Sequence, residues 1–271
     1  MSSANGRTRI HTDPLDPARA QALFASLGLD GVPPQKGDHL PPFWHHIYFW
    51  EALGPAFLGR DGHPKTGGFI PDTGLPRRMW AGGSLEFLMP VLLGETAEKT
   101  STVSALERKS GRSGDLAVVT LRHELRQGGA LAVIERQDLI YRQDPEPETV
   151  KTTPPSAPED EDFTHQVAFS PTLLFRYSAL TFNGHRIHYD RDYCQSVEGY
   201  AGLVVHGPLL AQLLIHLADD TLNGLQRFSF RATAPLFDFE TAELCYRRVE
   251  GGLSLWVRGP DGRLCMTAEA G

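Results

Sequence analysis

Between Leu209 and Leu217 the chain places leucine or isoleucine at positions 209, 210, 213, 214, 215 and 217, which at helical spacing covers almost every face. A helix that is apolar all round has no side to give to water, so it must be enclosed by other elements. Gly207 and Pro208 stand just before it, at what the sequence predicts to be N-cap and N1, because proline's fixed φ and missing N–H cost little in a first helical turn. The surrounding residues read as strands, so the arrangement expected is an antiparallel sheet wrapped around this helix.

Strand signals occur on both sides of an acidic, proline-rich stretch. Before it, Leu85–Val91, Thr96–Leu106, Leu116–Arg126 and Leu131–Tyr141 form an expected meander, with turn signals at Lys109–Gly114 and Gln127–Gly129. After it come Arg227–Arg231, where Phe228 and Phe230 alternate with polar neighbours, then Thr241–Arg248, Leu253–Val257 and Leu264–Ala268, the last two flanking Pro260-Asp261-Gly262. Shifted by 145 positions, Ser84–Glu98 lies over Ser229–Glu243 with six of fifteen residues identical. That echo predicts a duplicated fold. The expected organisation is an N-terminal domain over 1–143, a linker over 144–161 and a C-terminal domain over 162–271. Trp44–Leu58, rich in aromatic residues, is the candidate central helix of the first half.

Composition narrows the function classes. A formal charge of -7 with scattered lysine and arginine offers no footprint for nucleic acid or an anionic membrane surface. No apolar run approaches the ~20 residues that a membrane helix requires, and the N-terminus lacks a signal-peptide apolar stretch, so a cytoplasmic location is expected. Cys194, Cys245 and Cys265 form no CxxC pair and read as core thiols of a reducing compartment. No metal is expected: His185-x-x-His188 with His206 lacks a carboxylate or cysteine at ligand spacing.

Polar chemistry concentrates in Arg176–Asp190, RYSALTFNGHRIHYD, followed by Val205-His206-Gly207-Pro208-Leu209 at the start of the buried helix. A helix N-terminus turns unpaired N–H groups and a partial positive charge outward, suited to a carbonyl oxygen that gains charge. His188 titrates near neutral pH in its unperturbed state and can exchange protons there. Asn183 before Gly184 is a turn pair as well as a polar group, and Gly82-Gly83 reads most simply as a turn or bulge.

The stretch Leu180–His188 resembles the hydratase motif of the MaoC-like, R-specific enoyl-CoA hydratases, and Val205–Leu209 resembles the same family's His-Gly-hydrophobic segment. With Pro76–Gly83, the match extends to the branch that contains mesaconyl-C4-CoA and itaconyl-CoA hydratases and hydroxyacyl-thioester dehydratases. The resemblance implies an α+β double hot-dog fold whose N-terminal half contributes to a substrate tunnel. It implies a hydro-lyase acting on an acyl-CoA, with His188, Asn183 and Gly207 as catalytic residues and Arg176, Arg186, Arg78 and His206 as substrate-binding residues. No cofactor is implied beyond the coenzyme A of the substrate, and a homodimer is compatible with it. Asn183 stands where the motif has aspartate and His185 where it has asparagine. His188 is then the main acid-base group, with Asp190 or His185 as possible proton acceptors. The substrate expected is a branched C5 dicarboxylic ester giving citramalyl-CoA; a dehydratase of longer linear chains, a thioesterase and a non-catalytic acyl-CoA binder are the alternatives.

Overall fold

A computed structural model describes residues 6–111, 114–144 and 153–271. Each half opens with an edge strand and a helix: β1 (Thr8–Asp13) and α1 (Pro17–Leu27) in the first, β6 (Phe163–Ala168) and α2 (Pro171–Leu180) in the second. The first half continues with β2 (Arg77–Phe87), β3 (Ala97–Gly111), β4 (Gly114–Gln127) and β5 (Ala130–Arg142). The second continues with α3 (Arg191–Ser196), α4 (Gly207–Leu222), β7 (Arg227–Ala232), β8 (Thr241–Val249), β9 (Gly252–Arg258) and β10 (Leu264–Ala270). The strands form one antiparallel ten-stranded sheet in the order β1-β3-β4-β5-β2-β7-β10-β9-β8-β6. This is the α+β double hot-dog that the resemblance implies.

The two halves meet where β2 pairs with β7, and Ser84 lies directly opposite Ser229. These are the residues that head the two copies of the sequence echo. Leu85 faces Phe228 and Gly83 faces Phe230, so a local two-fold relation runs through the serine pair. The tandem likeness in sequence is thus a symmetric pairing in space.

Helix α4 lies across the middle of the sheet, against β2, β7, β9 and β10. Leu209, Leu210, Leu214 and Ile215 are buried, and Leu213 and Leu217 pack against the same core, so every apolar face finds a partner. His206 is the N-cap and Gly207 the first helical residue, one position earlier than expected.

Four readings need correction. The expected helix Trp44–Leu58 is absent; only single turns form at Trp44–Ile47 and Pro55–Phe57, and Phe43 and Phe49 take φ of 70° and 60°, which a helix excludes. Strand β2 starts at Arg77 rather than Leu85, and Gly82 borders a bulge inside it. Helices α1 and α2 lie outside the expected elements, although Asp16 with Pro17 and Ser170 with Pro171 begin them with a capping side chain and an early proline, as a helix start favours. Edge strands β1 and β6 were also not expected. The proposed linker 144–161 lies outside the described residues over 145–152, as does the turn at 112–113. Its C-terminal part is strapped down rather than free: Ala157 N–H donates to Gly262 O at 2.9 Å, and Arg258 reaches both carboxylate oxygens of Glu161. The three cysteines are free and buried, and no helix among the described residues is long and apolar enough to cross a membrane.

Candidate active site

Where α2 ends, the chain turns sharply. Asn183 N–H returns to Ser178 O at 2.8 Å, Phe182 takes φ 51°, and Asn183 Oδ1 accepts the backbone N–H of His185 at 3.1 Å. This Asx turn commits the Asn183 oxygen and leaves its NH₂ to donate. A short 3₁₀ turn, Arg186–His188, then points His188 inward, where it is 6 % exposed.

His188 Nδ1 stands 2.7 Å from Val204 O. A carbonyl can only accept, so the proton sits on Nδ1 and Nε2 is left as an acceptor. Burial pushes the imidazole down to about 3, against the smaller upward pull of that hydrogen bond. The neutral form therefore persists through neutral pH, as a general base requires. Behind it the His206 ring is stacked at 3.6 Å between centroids and held by Ser178 Oγ at 2.8 Å from Nε2.

Gly207 N–H has no partner among the described residues and fronts the same cavity. A Cβ on Gly207 would stand 2.8 Å from Cε3 of Trp80, whose indole is stacked on Phe230. Only glycine lets β2 pass this close to the helix N-terminus without a shift. The cavity has a volume of about 1140 Å³, with Asn183, His185, His188, Gly207, His63 and Arg78 in its walls.

The expected site residues thus divide. Asn183, His188, Gly207 and Arg78 come together. His206 is fully buried behind His188, so a substrate-binding role at the cavity surface does not fit it. Arg186 pairs with Asp190 at 2.7 Å and lies over the Tyr193 ring, and Arg176 is exposed on α2; neither lines the cavity. Asp190 also caps α3 through Tyr193 N–H at 3.0 Å, so its carboxylate is spent on structure rather than poised to take a proton. The Arg78 guanidinium has no hydrogen bond or ion pair among the described residues, and its charge bears on Asp61, His63 and His185.

Two site residues were not foreseen. Asp61 and His63 come from the first half and, with His185, bring ligand atoms within 4.8 Å of one another, a set that could hold a metal ion. It is not the histidine trio weighed from sequence. The Gly59–His63 turn carries no local motif, and only its contact with the second half gives it meaning.

A family model described as hydroxyacyl-thioester dehydratase type 2 matches residues 43–238. The mesaconyl-C(4)-CoA hydratase of Chloroflexus aurantiacus is 43% identical over 99% of this chain and 98% of its own. Among solved structures, HtdX of Mycobacterium tuberculosis superposes with a TM-score of 0.68 at 19% identity, over 97% of this chain and 99% of its own. A second Mycobacterium tuberculosis protein, described as having a double hotdog fold, does so with a TM-score of 0.60 at 15% identity, over 98% of this chain and 95% of its own. The chain is a double hot-dog enzyme of the hydratase/dehydratase class and belongs to the hydroxyacyl-thioester dehydratase type 2 family.

Proposed function

We propose that the enzyme adds water to a branched C5 dicarboxylic enoyl-CoA, mesaconyl-C4-CoA or its isomer itaconyl-CoA, to give citramalyl-CoA. The observation that carries this reading is Arg78, an unpaired guanidinium in the cavity wall near the histidines. In mesaconyl-C4-CoA the β-carbon itself bears the free carboxylate, so a cation that receives it must stand beside the reacting centre. Arginine suits this role because its planar fork binds carboxylate bidentately. The near full-length likeness to a mesaconyl-C(4)-CoA hydratase points the same way.

In this mechanism the thioester oxygen faces Gly207 N–H, at the positive end of α4, which stabilises the enolate as it forms. The Asn183 NH₂ donates to the oxygen of the attacking water. His188 Nε2 takes a proton from that water as the O–Cβ bond forms, then delivers it to the α-carbon on the same face. Hydration is redox-neutral, so the reaction calls for no redox cofactor, and coenzyme A arrives as part of the substrate. Itaconyl-CoA additionally needs proton removal next to the carbonyl and reprotonation at the terminal carbon, which the same enolate-stabilising amide supports.

A cavity of about 1140 Å³ is larger than a C5 acyl group needs, and this favours a second reading, dehydration of longer linear 3-hydroxyacyl thioesters. Turnover of mesaconyl-C4-CoA, itaconyl-CoA and crotonyl-CoA, and of longer 2-enoyl-CoA esters, separates the two. A kcat/KM at least tenfold higher on the C5 esters is expected; a preference for longer linear chains would reverse the order.

A further inference from the structure

The turn Gly59–His63 is pressed against the catalytic segment, backbone to backbone. Gly59 N–H donates to His63 O at 2.7 Å and Gly62 N–H to Gly59 O at 3.1 Å. Gly62 takes φ +87°, and a Cβ there would stand 1.9 Å from Gly184 O. Arg186 N–H donates to Asp61 O at 2.8 Å and its Nη1 to Arg60 O at 3.3 Å. Main chain from both halves therefore fixes Asp61 and His63 beside the turn that carries Asn183 and His185.

The side chains form a directed chain. Asp61 Oδ1 accepts His63 N–H at 3.0 Å, and Oδ2 lies 3.3 Å from His63 Nδ1. With one oxygen on the backbone and the other on the ring, the Asp61 carboxylate orients the imidazole. The His63 ring packs on His185 with centroids 4.3 Å apart. His185 is 6 % exposed and fronts the cavity, yet neither of its ring nitrogens has a hydrogen-bond partner among the described residues. A ring nitrogen that faces the cavity without a partner is open to a water molecule. The His185 centroid lies 5.4 Å from that of His188. Two acceptors that each hold one water oxygen at ~2.8 Å stand about 4.5 Å apart, a separation comparable to the 5.4 Å between these two ring centroids.

We propose that His185 is a second catalytic residue, which binds the nucleophilic water, and that His63 and Asp61 are positioning residues that hold its ring. This rests on the hydration reading with His188 as base. One water hydrogen passes to His188 Nε2 as the O–Cβ bond forms and the C=C π pair moves into the enolate. The other stays on oxygen, hydrogen-bonded to His185, and becomes the product hydroxyl. His188 returns its proton to the α-carbon, so both histidines end neutral. The first half of the chain thereby supplies part of the catalytic apparatus and not the tunnel alone.

The test measures kcat and KM separately for His185→Ala, His185→Asn, His63→Ala and His63→Phe, beside His188→Ala, with thermal unfolding and CoA-ester binding as folding controls. His185→Ala should lower kcat by ~10²-fold with KM changed far less, and His185→Asn, which keeps an acceptor, should recover part of the loss. His63→Ala should cost about tenfold in kcat and His63→Phe less, and His63→Ala should add little on a His185→Ala background because the residues act through one group. If His185→Ala does not fold, His185→Asn and the two His63 variants read the same relation. Unchanged kcat in the His185 and His63 variants, with His188→Ala inactive, would overturn this proposal and leave the base assignment standing. Full activity in His188→Ala would instead remove the hydration mechanism beneath it. Loss of activity on chelation, restored by a divalent cation, would also overturn it and assign Asp61, His63 and His185 as metal ligands.

Discussion

The second half of the chain folds its strands against a helix that is apolar on every face, whereas the first half builds the corresponding strands with no such helix. In its place Phe43, Trp44, Ile47, Tyr48 and Phe49 fill the core from one short 3₁₀ turn and the residues that flank it. They are fastened to α4: Trp44 Nε1 donates to His216 Nε2 at 2.6 Å, and Gln212 Nε2 to Pro42 O at 3.3 Å. The difference shows a division of labour. A regular helix offers an aimed, rigid N-terminus, while an irregular segment need not fill its volume and borders the cavity. His46, Tyr48 and Phe49 line that space from the first half, and Gly207, Pro208 and Leu210 from the second.

The comparison is broken most severely at the base. His188→Ala should lower hydration turnover by ~10²- to 10⁴-fold, with a smaller effect on CoA-ester binding, in steady-state assays. Activity near that of the unaltered enzyme would move catalysis away from the helical half.

Packing comes next. Leu214→Ala, in a regular helix enclosed on all sides, should cost about 3–5 kcal/mol in urea denaturation, because its surroundings relax little. Ile47→Ala, equally buried but in an irregular turn, should fall near 2 kcal/mol, at the lower end of the range for such truncations. Equal losses would mean that the two cores are equally stiff.

Acidification should sharpen the contrast between folded and unfolded chain. Burial lowers His46, His63 and His216 to about 4 and His123 and His188 to about 3. Below about 6.5 the unfolded chain binds protons at these sites and the folded one does not, so stability falls with falling pH, starting there and continuing toward the folded values. Each group contributes up to ~1.4 kcal/mol per pH unit within that window. Melting temperatures that stay flat between pH 7 and 5 would contradict neutral buried histidines.

The smallest expected effect belongs to Arg78. Arg78→Gln should raise KM for mesaconyl-C4-CoA about tenfold, or ~1.4 kcal/mol, with little change for crotonyl-CoA. Equal changes for both esters would separate Arg78 from carboxylate recognition.

Legibility in the sequence followed the range over which each signal acts. Helix α4 was readable because burial on every face is written into consecutive residues. Helices α1 and α2 carry a weaker signal, since each leaves a face to solvent and lacks that density, and only their capping residues mark them. The irregular run after Phe43 could not be told from a helix by aromatic content alone. At the site, His188, Asn183 and Gly207 were readable as a local pattern. Arg176 and Arg186 shared that pattern and failed because sequence proximity does not give side-chain direction: one faces solvent and the other is tied to Asp190. Asp61 and His63 reach the site only through tertiary contact and had no signal near His185.

The Ser84–Ser229 pairing, with one sheet running unbroken through it, has a kinetic consequence. Cavity walls that come from both halves of one covalent chain assemble in a first-order event, at an effective concentration fixed by the tether rather than by how much protein is present. Strands this far apart in sequence close a long loop before any contact rewards it, so their joining is slow. A chain with only one half folded lacks half the cavity wall, and activity in refolding should rise with the pairing of β2 and β7 rather than with the appearance of either half.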